Sequence, residues 1–189
     1  MGAVHVALLR GINVGGRNRV AMSDLREVVT ALGHAEVATY IQSGNVVFTP
    51  SETDTAAIAA ALEEAIAERL GVRPRVVVLS RDELARVIRD NPYPDEANPK
   101  LLHAVFLGRD PGPELLDAVA AAEGQAAAKG SGDTARVIGR ALFLHTPDGV
   151  GRIELAALLA RSGGPMAARE GGTARNWATV TRLLELCGP

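Results

Sequence analysis

Between Asn91 and Pro99 three prolines fall within nine residues, and neither a helix nor a strand runs through such a stretch. The chain is thereby broken near its middle. Its 189 residues leave room for one large domain or two small ones. We read two: an α+β unit over residues 1–90 and a second, related α+β unit over 100–189.

The first flank has a legible order. Val4–Arg10 is an apolar run of strand length, followed by a Gly- and Asn-bearing loop, 11–20. Leu25, Val29 and Leu32 share a helical face, and Gly33 is placed to end that helix. Val37–Gln42 and Asn45–Thr49 flank Ser43-Gly44 as a hairpin. Ser51 and Asp54 have the spacing of a capping box before the stripe Ile58, Leu62, Ile66 and Leu70, and Arg75–Leu79 is again a strand. The succession βαββαβ is that of a ferredoxin-like unit, with an antiparallel sheet and both helices on one face. Ser80 and Glu83 form a second capping box, opening a further helix.

Beyond the break, Leu101–Leu107 reads as a strand and Pro113–Ala122 as a helix capped by Asp110. Thr134–Ile138 and Ala141–His145 pair around Gly139-Arg140, and Arg152–Arg161 and Asn176–Cys187 are helical. Both flanks open with strand, glycine-bearing turn and helix, which suggests a structural duplication. Aromatic residues are 3% of the chain, so Val, Leu, Ile and Ala must fill both cores.

Charge narrows the functional classes. Residues 1–90 and 91–189 each hold 10 basic and 11 acidic side chains, so neither is a basic module for bulk nucleic-acid or membrane-surface binding. Two stretches depart from this balance. Residues 1–20 contain Arg10, Arg17 and Arg19 and no acid; residues 161–182 contain Arg161, Arg169, Arg175 and Arg182 against Glu170. Cys187 is the single cysteine, which excludes an intramolecular disulfide and fits a reducing compartment. The apolar run 4–9 is too short for a signal peptide or a membrane span. A cytoplasmic protein is expected.

Four stretches carry a resemblance: Ala7-Leu-Leu-Arg-Gly-Ile-Asn-Val-Gly-Gly16, Thr39-Tyr-Ile-Gln-Ser-Gly-Asn-Val-Val-Phe48, Pro147-Asp-Gly-Val-Gly151 and Thr173-Ala-Arg-Asn-Trp-Ala-Thr179. Together they resemble the bacterial family catalogued as domain of unknown function 1697. The resemblance implies an α+β fold and a stand-alone bacterial cytosolic protein. It implies no activity, so a site must be argued from the residues.

The loop after the first strand comes closest to chemistry. Gly11 and Gly16 have the spacing of a phosphate loop, but Arg17 and Asn18 stand where that motif has Lys and a hydroxyl residue. No downstream strand ends in an Asp that would anchor a metal, and an antiparallel sheet is wrong for a nucleotide hydrolase. A looser role survives, in which glycine-exposed backbone N–H groups and arginine form an anion site. Arg10, Gly11, Asn13, Gly15, Gly16, Arg17 and Asn18 are its candidates. The competing reading is a tight connection that needs positive φ at glycine.

Arg175 and Asn176 are the second candidate pair, read as lying just before the last helix. Asn176 suits an N-cap, while a cation at a helix N-terminus opposes the macrodipole and calls for an anionic partner. Trp177, Val180, Leu184 and Cys187 share a helical face and read as core. Gln42 and Asn45 bracket the hairpin turn, where Asn45 would satisfy turn backbone. Gly149, Gly151 and Arg152 make a weaker version of the anion-site pattern.

His5, His34, His103 and His145 show no metal-ligand spacing, and no metal or cofactor is expected. Cys187 lies on an apolar face, and Glu63-Glu64 and Asp82-Glu83 are helix-surface acids, so no catalytic constellation stands out and whether the protein is an enzyme stays open. Three classes remain. The first is binding, with or without catalysis, of a small phosphorylated or carboxylated ligand by the Gly/Arg/Asn loops. The second is RNA or single-strand binding on a sheet, disfavoured by charge and by isolated Tyr40 and Phe48. The third is a protein–protein module using an open sheet face. Segments 10–18 and 173–177 are expected to converge on one anion. The oligomeric state is not legible.

Overall fold

The structure is a computed structural model that describes residues 3–149, 154–160 and 172–188. The chain divides into two units, Met1–Arg86 with Arg182–Pro189, and Val87–Thr181. Each holds a four-stranded antiparallel sheet.

In the first unit, β1 (His5–Arg10) lies between β3 (Asn45–Thr49) and β4 (Arg75–Ser80), and β2 (Ala35–Tyr40) forms the edge beside β3. The strand order is β2-β3-β1-β4, the βαββαβ succession expected from the sequence. Helices α1 (Met22–Ala31) and α2 (Thr55–Leu70) cover one face, where Leu25, Val29, Ile58, Leu62 and Ile66 meet Ala7, Leu9, Val46, Phe48 and Val78. The intervening strand residues Val6, Leu8, Val77 and Leu79 point to the other face and are buried as well. Neither face of the sheet interior is open.

Local chemistry sets the boundaries. Asp54 alone caps α2, its carboxylate accepting from the N–H groups of Ala56 and Ala57, and left-handed Gly71 ends it. Ser51 takes no part in that cap; its N–H donates to His34 Nδ1 at 3.2 Å. The box that opens α3 (Arg81–Arg89) is reciprocal: Ser80 N–H donates to Glu83 Oε2 at 2.8 Å and Glu83 N–H to Ser80 Oγ at 3.2 Å. The first hairpin is looser than expected. Tyr40 pairs directly with Asn45, so Ile41 and Gln42 leave the strand and join Ser43 and Gly44 in the turn.

The second unit repeats the plan. Strand β5 (Leu102–Phe106) lies between β7 (Ala141–His145) and β8 (Thr173–Asn176), with β6 (Thr134–Ile138) outside β7, giving β6-β7-β5-β8. Helices α4 (Pro113–Ala128) and α5 (Glu154–Ala160) pack Val119, Ala122, Leu155 and Leu159 on Val105, Leu107, Leu142 and Leu144. The N-cap of α4 is Gly112 rather than Asp110, with Pro113 at the first helical position. The Pro-rich stretch is fastened to this unit. Tyr93 OH lies 2.9 Å from Thr134 Oγ1, and its ring stacks on His145 with centroids 4.8 Å apart.

Strand β8 corrects the sequence reading, which gave 173–175 no strand and set them just before a helix beginning at Asn176. Thr173 pairs with Phe106, Ala174 with Val105, Arg175 with Ala104 and Asn176 with His103. Gly172 makes this approach feasible: a Cβ there would lie 2.2 Å from the Phe106 carbonyl oxygen. Helix α6 (Trp177–Leu186) follows at once. Gly151, Arg152, Arg161, Arg169 and Glu170, and with them the start of the helix expected over 152–161, lie outside the described residues.

Candidate functional site

The loop after β1 is a miniature hairpin. Val14 and Arg17 form an antiparallel bridge closed by Arg17 N–H to Val14 O at 3.0 Å. Gly15 (φ 58°) and Gly16 (φ 76°) occupy its centre. Positive φ at both central residues is the mark of the mirror-image turns that join two strands by two residues, and glycine adopts it without steric cost. No atom beyond the adjoining residues lies within 4 Å of where a Cβ at Gly15 or Gly16 would stand, so conformation, not crowding, requires glycine there.

Two asparagines bolt this hairpin down, each in a left-handed conformation (Asn13 φ 54°, Asn18 φ 49°). Asn13 Nδ2 donates to Val20 O and to Gln42 O, both at 2.9 Å, while Asn13 Oδ1 accepts from Val20 N–H at 2.9 Å. Asn18 Nδ2 donates to Gly11 O at 2.9 Å, and Asn18 O accepts from Asn13 N–H. The side-chain amides of both residues are thus engaged in building the loop. The bonds that close it use the N–H groups of Asn13, Arg17 and Val20; those of Gly15 and Gly16 are not among them.

The 41–44 turn is built against the same loop. Leu9 N–H donates to Gly44 O at 2.8 Å, and a Cβ on Gly44 (φ 74°) would come within 2.7 Å of Leu9 Cβ and 2.8 Å of Ile12 Cδ1. Asn45, fully buried, donates to Tyr40 O at 3.0 Å and braces the turn from within. Ile41 is held at φ 48°, a region that costs a non-glycine residue about 1–2 kcal/mol and that β-branched side chains avoid. It is nonetheless exposed, as is Val14 on the facing loop. The stretches 7–16 and 39–48 therefore assemble one surface feature.

Among the candidate residues of this loop, Arg17, Asn18, Gly11, Gly15 and Gly16 are exposed, Asn13 is half-buried, and Arg10 at the end of β1 is half-buried opposite Arg75. Arg75 is in turn paired with Glu63 at 2.9 Å. Arg19 is exposed as well. No acid occurs in residues 1–20, so the loop is locally cationic.

Arg175 and Asn176 belong to the other unit. Arg175 immediately precedes the N-cap of α6, as expected, but it lies in β8 and is buried, and burial pushes its guanidinium down to about 10. Its Nη1 donates to Thr173 Oγ1 at 2.7 Å and to Ala174 O at 2.8 Å. Asn176 caps α6 as expected, its Oδ1 accepting from Thr179 N–H at 2.8 Å. Trp177 is half-buried, its ring 6.1 Å from that of Phe143. Gly149 takes φ 88° and donates its N–H to Thr146 O, a turn role.

The histidines are structural, with one addition. His5 Nδ1 lies 2.8 Å from Ala3 O, and His34 packs on Phe48 at 4.9 Å with its imidazole held below the usual range by burial. Burial also lowers His103. His145 Nε2 lies 2.7 Å from Glu96 Oε2, and the hydrogen bonds from His145 and from Asn98 N–H hold the Glu96 carboxyl below its ordinary value. Sequence reasoning missed this pair because 49 residues separate its members. Cys187 is buried and its thiol is pushed up, away from nucleophilic use. Among the described residues no group of three or more His, Cys, Asp or Glu is placed to hold a metal ion.

Two antiparallel βαββαβ units of matching strand order, with a Gly-rich cationic hairpin after the first strand, define an α+β protein of repeated plan. The chain belongs to the family of proteins of unknown function DUF1697, whose model matches residues 3–143. The signature-like stretches 147–151 and 173–179 fall beyond that span. Among solved structures, it is similar to the conserved bacterial protein SP0830 from Streptococcus pneumoniae, at 22% identity over 98% of each chain with a TM-score of 0.68. That likeness is one of fold. No curated protein matches the sequence. No helix among the described residues is long and apolar enough to cross a membrane.

Proposed function

We propose that the protein binds a small phosphorylated or carboxylated ligand at the hairpin 11–18, in the cytoplasm of a bacterial cell. The observation that carries this is the Gly15-Gly16 turn: open backbone in a preset left-handed geometry, next to exposed Arg17 and without a neighbouring acid in sequence. Backbone N–H groups in such turns and a guanidinium together suit an oxyanion. Burial of Val6, Leu8, Val77 and Leu79 weighs against a nucleic-acid platform or a protein-docking face on the first sheet, and Phe48 is core.

A thermal-shift panel of nucleotides, sugar phosphates, small carboxylates and short RNA tests the proposal. A small anion should raise the melting temperature, and Arg17→Ala should weaken its binding about 10- to 100-fold, the worth of a charged hydrogen bond of about 1.5–3 kcal/mol. A shift produced by RNA alone, or one unaffected by Arg17→Ala, would count against it.

A further inference from the structure

Resting on that assignment, we infer that the ligand carries an apolar group beside its anionic one: an aryl or acyl phosphate or carboxylate rather than a bare oxyanion. Val14 and Arg17 are direct cross-strand partners, so their side chains rise from the same face of the hairpin with Cβ atoms about 5 Å apart. An apolar group and a cation thus stand side by side.

Two features resist a purely structural account. Val14 is 67% exposed, so the aliphatic stem of Arg17 does not cover it. Ile41, at the far end of the Asn13–Gln42 tie, is 51% exposed while held at φ 48°. An exposed β-branched residue in a left-handed conformation contributes neither core burial nor a relaxed turn; glycine or asparagine would serve the turn better. Strain of this kind is retained where a side chain is needed at the surface. Val14 and Ile41 are each one residue from the Asn13–Gln42 bond that holds the two turns together, and so flank the cationic loop with aliphatic surface.

Isothermal titration of the full chain with inorganic phosphate and with phenyl phosphate decides the matter. Phenyl phosphate is expected to bind at least about tenfold more tightly, or about 1.4 kcal/mol. Val14→Ser and Ile41→Gly should each erase that advantage and leave phosphate binding unchanged. Ile41→Gly removes the conformational strain, so the fold survives it and the comparison stands even where Val14→Ser unfolds the loop. Equal affinity for the two probes, or an advantage that persists in Ile41→Gly, overturns the inference and leaves the anion site standing. Binding of neither probe removes both.

Discussion

The side-chain nitrogen of Asn13 sits 2.9 Å from the carbonyl oxygen of Gln42, and that single bond ties the loop after the first strand to the turn between the second and third. The same amide also clasps Val20 through two further bonds. Removing it as Asn13→Ala leaves the N–H of buried Val20 without its acceptor and places alanine in a left-handed conformation. At about 1–3 kcal/mol for a stranded buried group and about 1–2 for the backbone, a loss of about 2–5 kcal/mol is expected in urea unfolding. Asn13→Gly should recover only the backbone part. Two variants equal in stability to the parent would show that the amide clip contributes nothing.

Gly44 and Gly15 both have positive φ, but only Gly44 faces packed atoms. Gly15→Ala should cost about 1–2 kcal/mol, the conformational term alone. Gly44→Ala must also displace buried Leu9 and Ile12, adding about 1–3 kcal/mol of overpacking. Parallel denaturation curves check the difference. Equal losses would mean that the turn shifts away from Leu9 freely.

Stability should decline on mild acidification. The unfolded chain protonates His34 near the ordinary value of 6.5, the folded chain only at lower pH because burial disfavours the cation. In that window the unfolded state binds more protons, so stability falls as pH drops through 6.5 and levels off once the folded imidazole titrates. His103 adds a change of the same sign. Glu96 contributes at lower pH, since stability from its depressed carboxyl is present above about 4.5 and lost as pH falls through the folded value. Urea midpoints between pH 8 and 5.5 should show the slope, reduced in His34→Gln; a parent profile flat over that range contradicts it.

Much of the fold was legible because local chemistry and hydrophobic period agreed. The Ser80–Glu83 box and the Ile58-Leu62-Ile66 stripe mark helix and core in the sequence as they stand in the structure. Strand β8 was not legible. It is four residues long with Arg175 on a buried position, so it shows no apolar alternation, and its cue was Gly172, needed only because Phe106 lies against it. In the loop, glycine, arginine and asparagine alike read as site residues, but the sequence could not show that Asn13 and Asn18 spend their amides on the loop itself. Nor could it pair Val14 with Arg17, since bridge partners emerge only once both glycines have taken positive φ.

Residues 182–188 belong with the first unit although the whole of the second lies between them in sequence. Arg81 Nε donates to Gly188 O at 3.0 Å, while Leu183 and Cys187 are buried. A chain is made and folded from its N-terminus onward. On the ribosome, then, the unit synthesised first must wait with an unfilled seat until the second has been translated, and the order of synthesis is the reverse of the order of completion.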